Sequence, residues 1–251
     1  MLDNGLLEKA ARAISTSRYT VALTGAGISV ESGIPPFRGE HGIWNRYDPM
    51  TLEIDFFYQH PAESWKVIRE IFYQYFGKAT PNKAHLALAK LEEAGKLQAI
   101  ITQNIDNLHQ EAGNREVYEF HGNSKKLVCT RCGMVYHAGE LALDVLPVTC
   151  LECHSLVKPD FVFFGEGIPK DAYFGSVEAV EKCDLMLVVG TTAEVMPAGQ
   201  LPRLAKSNGT TLIEINPEPT QLTRTISDLF LQGMAGQVLS ALTDRVLQEL
   251  S

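Results

Sequence analysis

The chain has 251 residues and a formal net charge of −8, with 45% hydrophobic and 21% charged residues, the make-up of a soluble globular protein with one large domain or one domain carrying a small insert. The acidic balance argues against general binding of nucleic acid or anionic membrane, no apolar run reaches membrane-spanning length, and Met1–Gly5 lacks the basic start and apolar core of a secretion signal. The expected setting is the cytoplasm, with neither nucleic acid nor membrane as a partner, and there clustered cysteines point to metal rather than disulfides.

Leu6 to Ile14 has apolar positions at helical spacing, and Tyr19 to Thr24 is β-prone and mostly apolar. That strand runs into Gly25-Ala26-Gly27-Ile28-Ser29-Val30-Glu31-Ser32-Gly33-Ile34-Pro35-Pro36-Phe37-Arg38-Gly39. Two glycines after a strand allow a tight turn and close approach of a ligand, and free N–H groups in such a turn can hold a pyrophosphate. As a dinucleotide fingerprint the stretch is incomplete: Val30 stands where a third glycine is expected, and no clear second strand with an acid follows about 20 residues on. Gly-x-Gly alone equally suits a plain turn of an α/β sheet. Pro35 and Pro36 exclude a regular helix, Phe37 can cover a flat ring, and Arg38 can pair with phosphate.

From His41 to Phe76 the chain is rich in aromatics and reads as loop followed by a helix over Pro61 to Phe76, with Pro61 in the first turn. A second helix follows Asn82 as its cap, with Leu86, Leu88, Ala89 and Leu91 apolar and Gly95 as its stop. Leu97 to Thr102 and Val117 to Phe120 read as strands, and from Cys129 to Cys153 regular periodicity disappears. Val157 to Phe164 is extended, Asp171 to Lys182 is helical, and Leu185 to Val189 is a continuous apolar run typical of a buried parallel strand. A helix over Ala198 to Lys206, strands over Thr211 to Ile215 and Leu229 to Leu231, and a closing helix over Ala235 to Leu250 complete the chain. Alternating strands and helices predict an α/β fold, a parallel sheet of Rossmann type with helices on both faces. The sheet domain would comprise residues 1–40, 79–121 and 157–251, with 41–78 a helical insert and 122–156 a zinc ribbon.

Cys129-x2-Cys132 and Cys150-x2-Cys153 supply four thiolates at zinc-ribbon spacing. They would hold one tetrahedral Zn²⁺ with no open position, hence a structural ion. Cys183 reads as core, and His137 and His154 as bystanders. Gln103-Asn104-Ile105-Asp106 follows a strand directly, where open α/β sheets bind ligands. Asn104 or Asp106 could cap a helix, but three polar side chains in four positions exceed what capping needs. His121-Gly122 also follows a strand. A neutral imidazole can take a proton near neutral pH, though a lone histidine is more often structural. Gly190-Thr191-Thr192 offers N–H and hydroxyl donors to phosphate. His109 reads as a helix-surface residue and His85 as a structural contact.

Taken together, the Gly25–Gly39 run followed by Gly42-Ile43-Trp44, the Gln103–Asp106 run, His121-Gly122 and the paired cysteine knuckles resemble the sirtuins, NAD-dependent protein lysine deacylases, in order and over nearly the whole chain. Val30, Pro36, Asn123 and Thr192 depart mildly from that family's usual Ala, Thr, Ser and Ser. The resemblance implies NAD held by Gly25, Ala26, Gly27, Ser29, Phe37, Arg38, Trp44, Gln103, Asn104, Ile105, Asp106, Gly190, Thr191 and Thr192. It adds Asn216, Pro217 and Glu218 at the adenosine ribose and Ala235 on the adenine side. Gln103 would hold the nicotinamide ribose, Asn104 would order the reacting region and Asp106 would bind the nicotinamide amide. His121 would be the general base. Val162, Phe163, Phe164, Gly165 and Glu166, facing Glu194 and Val195, would hold an acyl-lysine peptide as an added strand.

The implied reaction has the acyl oxygen attack C1′ of the nicotinamide ribose and expel nicotinamide; a ribose hydroxyl deprotonated by His121 then attacks the imidate carbon, and water completes the reaction to free lysine and O-acyl-ADP-ribose. An NAD-dependent protein ADP-ribosyltransferase on the same scaffold is the alternative. A non-catalytic NAD-sensing or zinc-ribbon module is a further one, which the presence of His121, Asn104 and Asp106 opposes. Sirtuins that remove acidic acyl groups carry a Tyr and an Arg three residues apart on the helix beside the acyl pocket. Aligning on Trp65 places Ile68 and Ile71 there, so an apolar acyl group such as acetyl is expected in place of succinyl or malonyl.

Overall fold

The computed structural model describes residues 3–37, 39, 42–75 and 79–250. Helix α1 (Asn4–Thr16) starts at Asp3, whose carboxylate accepts the Leu6 N–H, and buries Leu7, Ala10, Ala11 and Ile14. Strand β1 (Thr20–Thr24) is buried at every position. The glycine-rich run then winds into a 3₁₀ helix, Ala26–Ser32, closed by Gly33 at φ 85°, a left-handed conformation that suits glycine.

The insert follows with helices α2 (Ile54–Gln59) and α3 (Pro61–Ile68). The single helix expected from Pro61 to Phe76 is α-helical only as far as Ile68; Arg69–Tyr75 continues as a π-helical segment. Such a widened turn shifts the register of every later side chain. Helix α4 (Lys83–Glu93) has the predicted Asn82 cap, reciprocated by His85 in a capping box. Then come β2 (Ala99–Thr102), a short α5 (Leu108–Ala112) and β3 (Val117–Glu119). Strands β4 (Gly122–Cys129), β5 (Val135–His137) and β6 (Val157–Phe161) follow. The chain closes with α6 (Lys170–Lys182), β7 (Leu185–Val189), α7 (Leu201–Ser207), β8 (Thr211–Asn216), α8 (Gln221–Thr225), β9 (Leu229–Gln232) and α9 (Ala235–Glu249).

Six parallel strands make one sheet in the order β3-β2-β1-β7-β8-β9, the doubly wound order expected of a Rossmann-type domain. Alternate residues serve its two faces. Ala22, Ile100, Leu187 and Ile213 pack with α1, α4 and α9, while Val21, Leu23, Ile101, Val188 and Leu212 pack with α6 and α7. The chain reverses direction of winding between β1 and β7. Thr24 is level with Thr102 of β2 and Val189 of β7, so the loops leaving these strands emerge side by side at the carboxyl edge.

A second sheet, β5-β4-β6, is antiparallel. It shares an apolar cluster with the insert, centred on fully buried Trp65, Phe57 and Phe163. Trp65 donates its indole N–H to Val157 O at 2.9 Å, tying α3 to β6. Gly122, at φ 77°, begins β4; a Cβ there would lie 2.2 Å from Asp160 O, so β4 and β6 approach only because this position has no side chain. Among the described residues, no helix is long and apolar enough to cross a membrane.

Candidate active site

The loop after β1 packs directly on the loop after β7. Gly25 N–H donates to Val189 O at 3.1 Å and Gly27 N–H to Gly190 O at 2.8 Å. A Cβ on Gly27 would stand 2.7 Å from Gly190 Cα, and one on Gly25 2.7 Å from Thr191 Cβ. The two glycines therefore permit backbone-to-backbone packing of two strand-end loops. Their own N–H groups are committed to β7 and its loop, so any free N–H groups for a pyrophosphate come from other residues of the turn.

The loop after β2 lies alongside. Gln103 Nε2 donates to Thr191 Oγ1 at 2.9 Å. Asn104, 7% exposed, donates from Nδ2 to Gly25 O and Ser29 Oγ, each at 3.2 Å. Ser29 Oγ in turn donates to Asp106 Oδ2 at 2.7 Å, and Asp106 Oδ1 accepts Leu108 N–H at 3.0 Å. Burial raises the Asp106 carboxyl above the usual range against the pull of these two bonds.

His121 stands at the end of β3 with Nδ1 3.0 Å from Gln103 O. A carbonyl oxygen only accepts, so Nδ1 carries the hydrogen and Nε2 is left as the basic nitrogen. Burial lowers the imidazole pKa, and the Gln103 carbonyl opposes that shift in part, so the ring is neutral at neutral pH.

These groups open on a cleft of about 400 Å³. Of the predicted cofactor residues, Gly25, Ala26, Gly27, Phe37, Trp44, Gln103, Asn104, Ile105, Gly190, Thr191, Thr192 and Asn216 line it, and so does His121. Val162, Phe163, Phe164, Gly165, Glu166 and Val195 line the same space from the substrate side. Ser29 and Asp106 sit behind Asn104, outside the lining. Pro217 and Glu218 are exposed past the end of β8. Ala235 is buried at the start of α9, and Glu194 is exposed beside the Val195 wall. Arg38 lies outside the described residues.

Pro36 of the glycine-rich signature and Met196 and Pro197 of the segment after Val195 also line the cleft, as do Leu52, Phe72, Phe161 and Ile168, which sequence reasoning did not find. Leu52 and Phe72 arrive only through the folding of the insert. Ile68 and Ile71, expected at the acyl pocket, are buried in the insert's core instead; the π-helical register brings Phe72 to the wall. The Glu166 carboxylate is spent within the protein, accepting from Lys158 Nζ at 3.0 Å and Phe163 N–H at 2.8 Å.

His109 is 1% exposed, which corrects its reading as a surface residue. Its Nε2 lies 2.9 Å from Thr24 Oγ1, which donates to Thr102 Oγ1. Its ring is 4.9 Å from that of His85, whose Nδ1 accepts the Asn82 N–H. Burial lowers His85 to about 4, and lowers His109 well below its usual value with the His85 charge adding to the effect. The missed signal is the spacing: His109 is three residues past Asp106, and α5 turns it inward beneath β1.

Cys129, Cys132, Cys150 and Cys153 converge with all four sulfurs within 4.8 Å of one another. The Cys129–Cys153 and Cys132–Cys150 separations are 3.4 and 3.7 Å, close to the roughly 3.8 Å edge of a tetrahedron with 2.3 Å Zn–S bonds. The four cysteines are positioned to bind one zinc ion.

The model of the Sir2 family matches residues 25–197 of this chain. The "NAD-dependent protein deacylase 1" of Archaeoglobus fulgidus is 44% identical over 246 residues, 97% of this chain and 99% of the relative. The "NAD-dependent protein deacetylase 1" of Pyrobaculum aerophilum is 43% identical over 246 residues, 96% of this chain and 94% of the relative. A solved Sir2 homologue in complex with NAD superimposes with a TM-score of 0.90 at 42% identity, covering 97% of this chain and 95% of that one. By the extent of these matches, the chain belongs to the Sir2 family.

Proposed function

We propose that this protein is an NAD-dependent protein lysine deacetylase. The observation that carries the reading is one cleft in which the basic nitrogen of neutral His121 shares space with Gln103, Asn104 and the Gly25–Gly27 loop on one side and the apolar Val162–Phe164 segment on the other. The names of the relatives support it.

The donor set fits NAD. Thr191, Thr192 and Asn216 offer hydroxyls, backbone N–H groups and an amide at adjoining strand ends, as phosphate and ribose require. Phe37 and Trp44, with ring centroids 5.3 Å apart, offer flat apolar surface. Bound NAD would supply an electrophilic ribose carbon with nicotinamide as its leaving group. His121 would accept a proton from a ribose hydroxyl at Nε2, its Nδ1–H anchored on Gln103 O throughout. Asn104, held by Gly25 O and Ser29 Oγ, would keep the reacting region in one orientation, and Asp106 would meet the nicotinamide amide. Val162 and Phe163 would pack on the lysine stem and keep water away. Residues 1–40, 79–121 and 157–251 would act as the NAD-binding unit, with the 41–78 insert and the 122–156 ribbon closing the substrate side. The zinc, with four thiolate ligands, would be structural.

Leu52, Phe72, Phe161 and Phe163 give the cleft an apolar wall, which favours acetyl over succinyl or malonyl because a carboxylate buried there is costly. Turnover of an acetyl-lysine peptide with NAD, followed by mass spectrometry, tests the reading. O-acetyl-ADP-ribose formed in step with free lysine is expected; ADP-ribosylated protein without it would make the enzyme an ADP-ribosyltransferase.

A further inference from the structure

The turn that carries His121 and the loop that carries Asn104 and Asp106 are separate segments, and one carboxylate joins them. Glu119 ends β3, two residues before His121. Its Oε1 accepts from Asn107 Nδ2 at 2.9 Å, Gln110 Nε2 at 2.8 Å and Asn123 Nδ2 at 2.7 Å. Asn107 belongs to the loop after β2, Gln110 to α5 and Asn123 to the start of β4, just after His121. All three donors are neutral amides. Asn107 is 9% exposed and sits at φ 64°, a left-handed conformation that Asn tolerates better than most residues. Asn123, 6% exposed, also accepts Lys125 N–H on Oδ1 at 2.7 Å, so its amide orientation is fixed from both ends. The same two segments also meet where His121 Nδ1 donates to Gln103 O, where Ser124 donates from N–H and Oγ to Ile105 O at 3.1 and 2.6 Å, and where Phe120 N–H donates to Thr102 O at 2.9 Å. Glu119 adds a side-chain link to Asn107 of the loop and to Gln110 of α5. Side chains held by such supporting hydrogen bonds keep a site in one geometry. Asn123 is where this chain departs from the usual sirtuin Ser, and the longer side chain is what bonds to Glu119.

We propose that Glu119 is a positioning residue for the reaction, its carboxylate fastening the His121 turn to the Asn104–Asn107 loop so that the base keeps one distance from the residues around the ribose. The proposal rests on His121 as the base. Burial pushes the Glu119 carboxyl up while the Asn123 and Gln110 amides and the Lys126 charge pull it down, consistent with a carboxylate committed to internal donors.

The test uses Glu119→Ala, Asn123→Ala and Asn107→Gly, the last because glycine keeps the left-handed backbone while removing the amide. In the ligand-free protein, hydrogen exchange at residues 104–107 and 121–124 should quicken at least tenfold in Glu119→Ala, with β7 and β8 unchanged, and the His121 ring should titrate closer to 6.5 as water reaches it. On acetyl-lysine peptide, kcat should fall at least tenfold while KM for NAD moves less than threefold. Asn123→Ala and Asn107→Gly should each lower kcat severalfold, and Glu119→Ala/Asn123→Ala should be no worse than Glu119→Ala alone. Should Glu119→Ala not fold, the two asparagine variants carry the same readouts. Unchanged exchange at both segments, or kcat within twofold of the parent in the folded variants, overturns the proposal. Full activity of His121→Ala would instead overturn the assignment of the base, leaving the exchange result to judge the fastening by itself.

Discussion

His121 Nδ1 and the Gln103 carbonyl oxygen are 3.0 Å apart, so the residue expected at the ribose also fixes the tautomer of the expected base. The proton-accepting nitrogen is defined before any ligand arrives, and only one face of the ring remains for chemistry. Replacing His121 with Ala should lower kcat by about 10²–10⁴ and leave ADP-ribose affinity nearly unchanged, since the Gly190–Thr192 and Asn216 donors remain. Steady-state kinetics and calorimetry with ADP-ribose check both halves; activity close to that of the parent would remove His121 from the role.

The pH dependence of activity should follow the neutral imidazole. Burial holds the His121 pKa below its usual 6.5, so kcat/KM should be flat through neutral pH and fall only on the acid side, below the ordinary histidine range. A rate that halves near pH 7.5 on acidification would contradict the buried, neutral ring.

Stability should fall on the same side for a different reason. In the unfolded chain His85 takes up a proton near 6.5, but in the fold only at about 4, and burial also holds His109 well below its ordinary value. The stability these neutral rings contribute is therefore complete above pH 6.5 and is lost as the pH falls from there towards 4. The slope is up to about 1.4 kcal/mol per pH unit for each ring. Urea unfolding at pH 7.5, 6 and 5 measures it; a stability independent of pH over that interval would argue that both rings are already charged or solvated.

Metal analysis should find one zinc per chain. Cys129→Ala should lose the metal and unfold the β4–β5–β6 module, because the ligand sulfurs close a segment with little core of its own. Activity that survives complete chelation would show that the module holds its shape without the ion.

Asp106→Asn should weaken inhibition by nicotinamide more than it weakens binding of ADP-ribose. The carboxylate is held by Ser29 and Leu108 behind Asn104, and under the proposed function it would meet the nicotinamide amide. Inhibition curves for nicotinamide in parent and variant decide this, and superimposable curves would exclude the role.

Succinyl-lysine should turn over at least roughly 100-fold more slowly than acetyl-lysine on one peptide, the effect of a buried carboxylate left without a partner at a cost of about 3 kcal/mol or more. Phe72, not Ile68 or Ile71, forms that wall. Equal rates would direct attention to Arg69, whose Nε is buried without a hydrogen-bond partner one turn before Phe72.

What the sequence by itself determined follows from local rules. The Asn82 cap, the apolar run of β7 and the alternation of strand and helix are set by residues within a few positions of one another, and β7 matches its expected bounds while the β6 end and the α7 start each lie three residues from theirs. The cysteine knuckles were legible because metal chemistry demands four thiolates at fixed spacing, and Gln103–Asp106 and His121 because a motif marks them. Tertiary structure decided what depends on distant partners. Gly25 and Gly27 are small for the sake of Gly190 and Thr191, some 165 residues away. His109 is buried because α5 turns it beneath β1, which no periodicity in a five-residue helix can announce. The π-helical segment at Arg69–Tyr75 puts Phe72 on the cleft wall, a choice of register that depends on the packing of the insert against β6. The bond from Glu119 to Asn107, Gln110 and Asn123 likewise exists only once parallel pairing of β2 and β3 has brought their two carboxyl ends together.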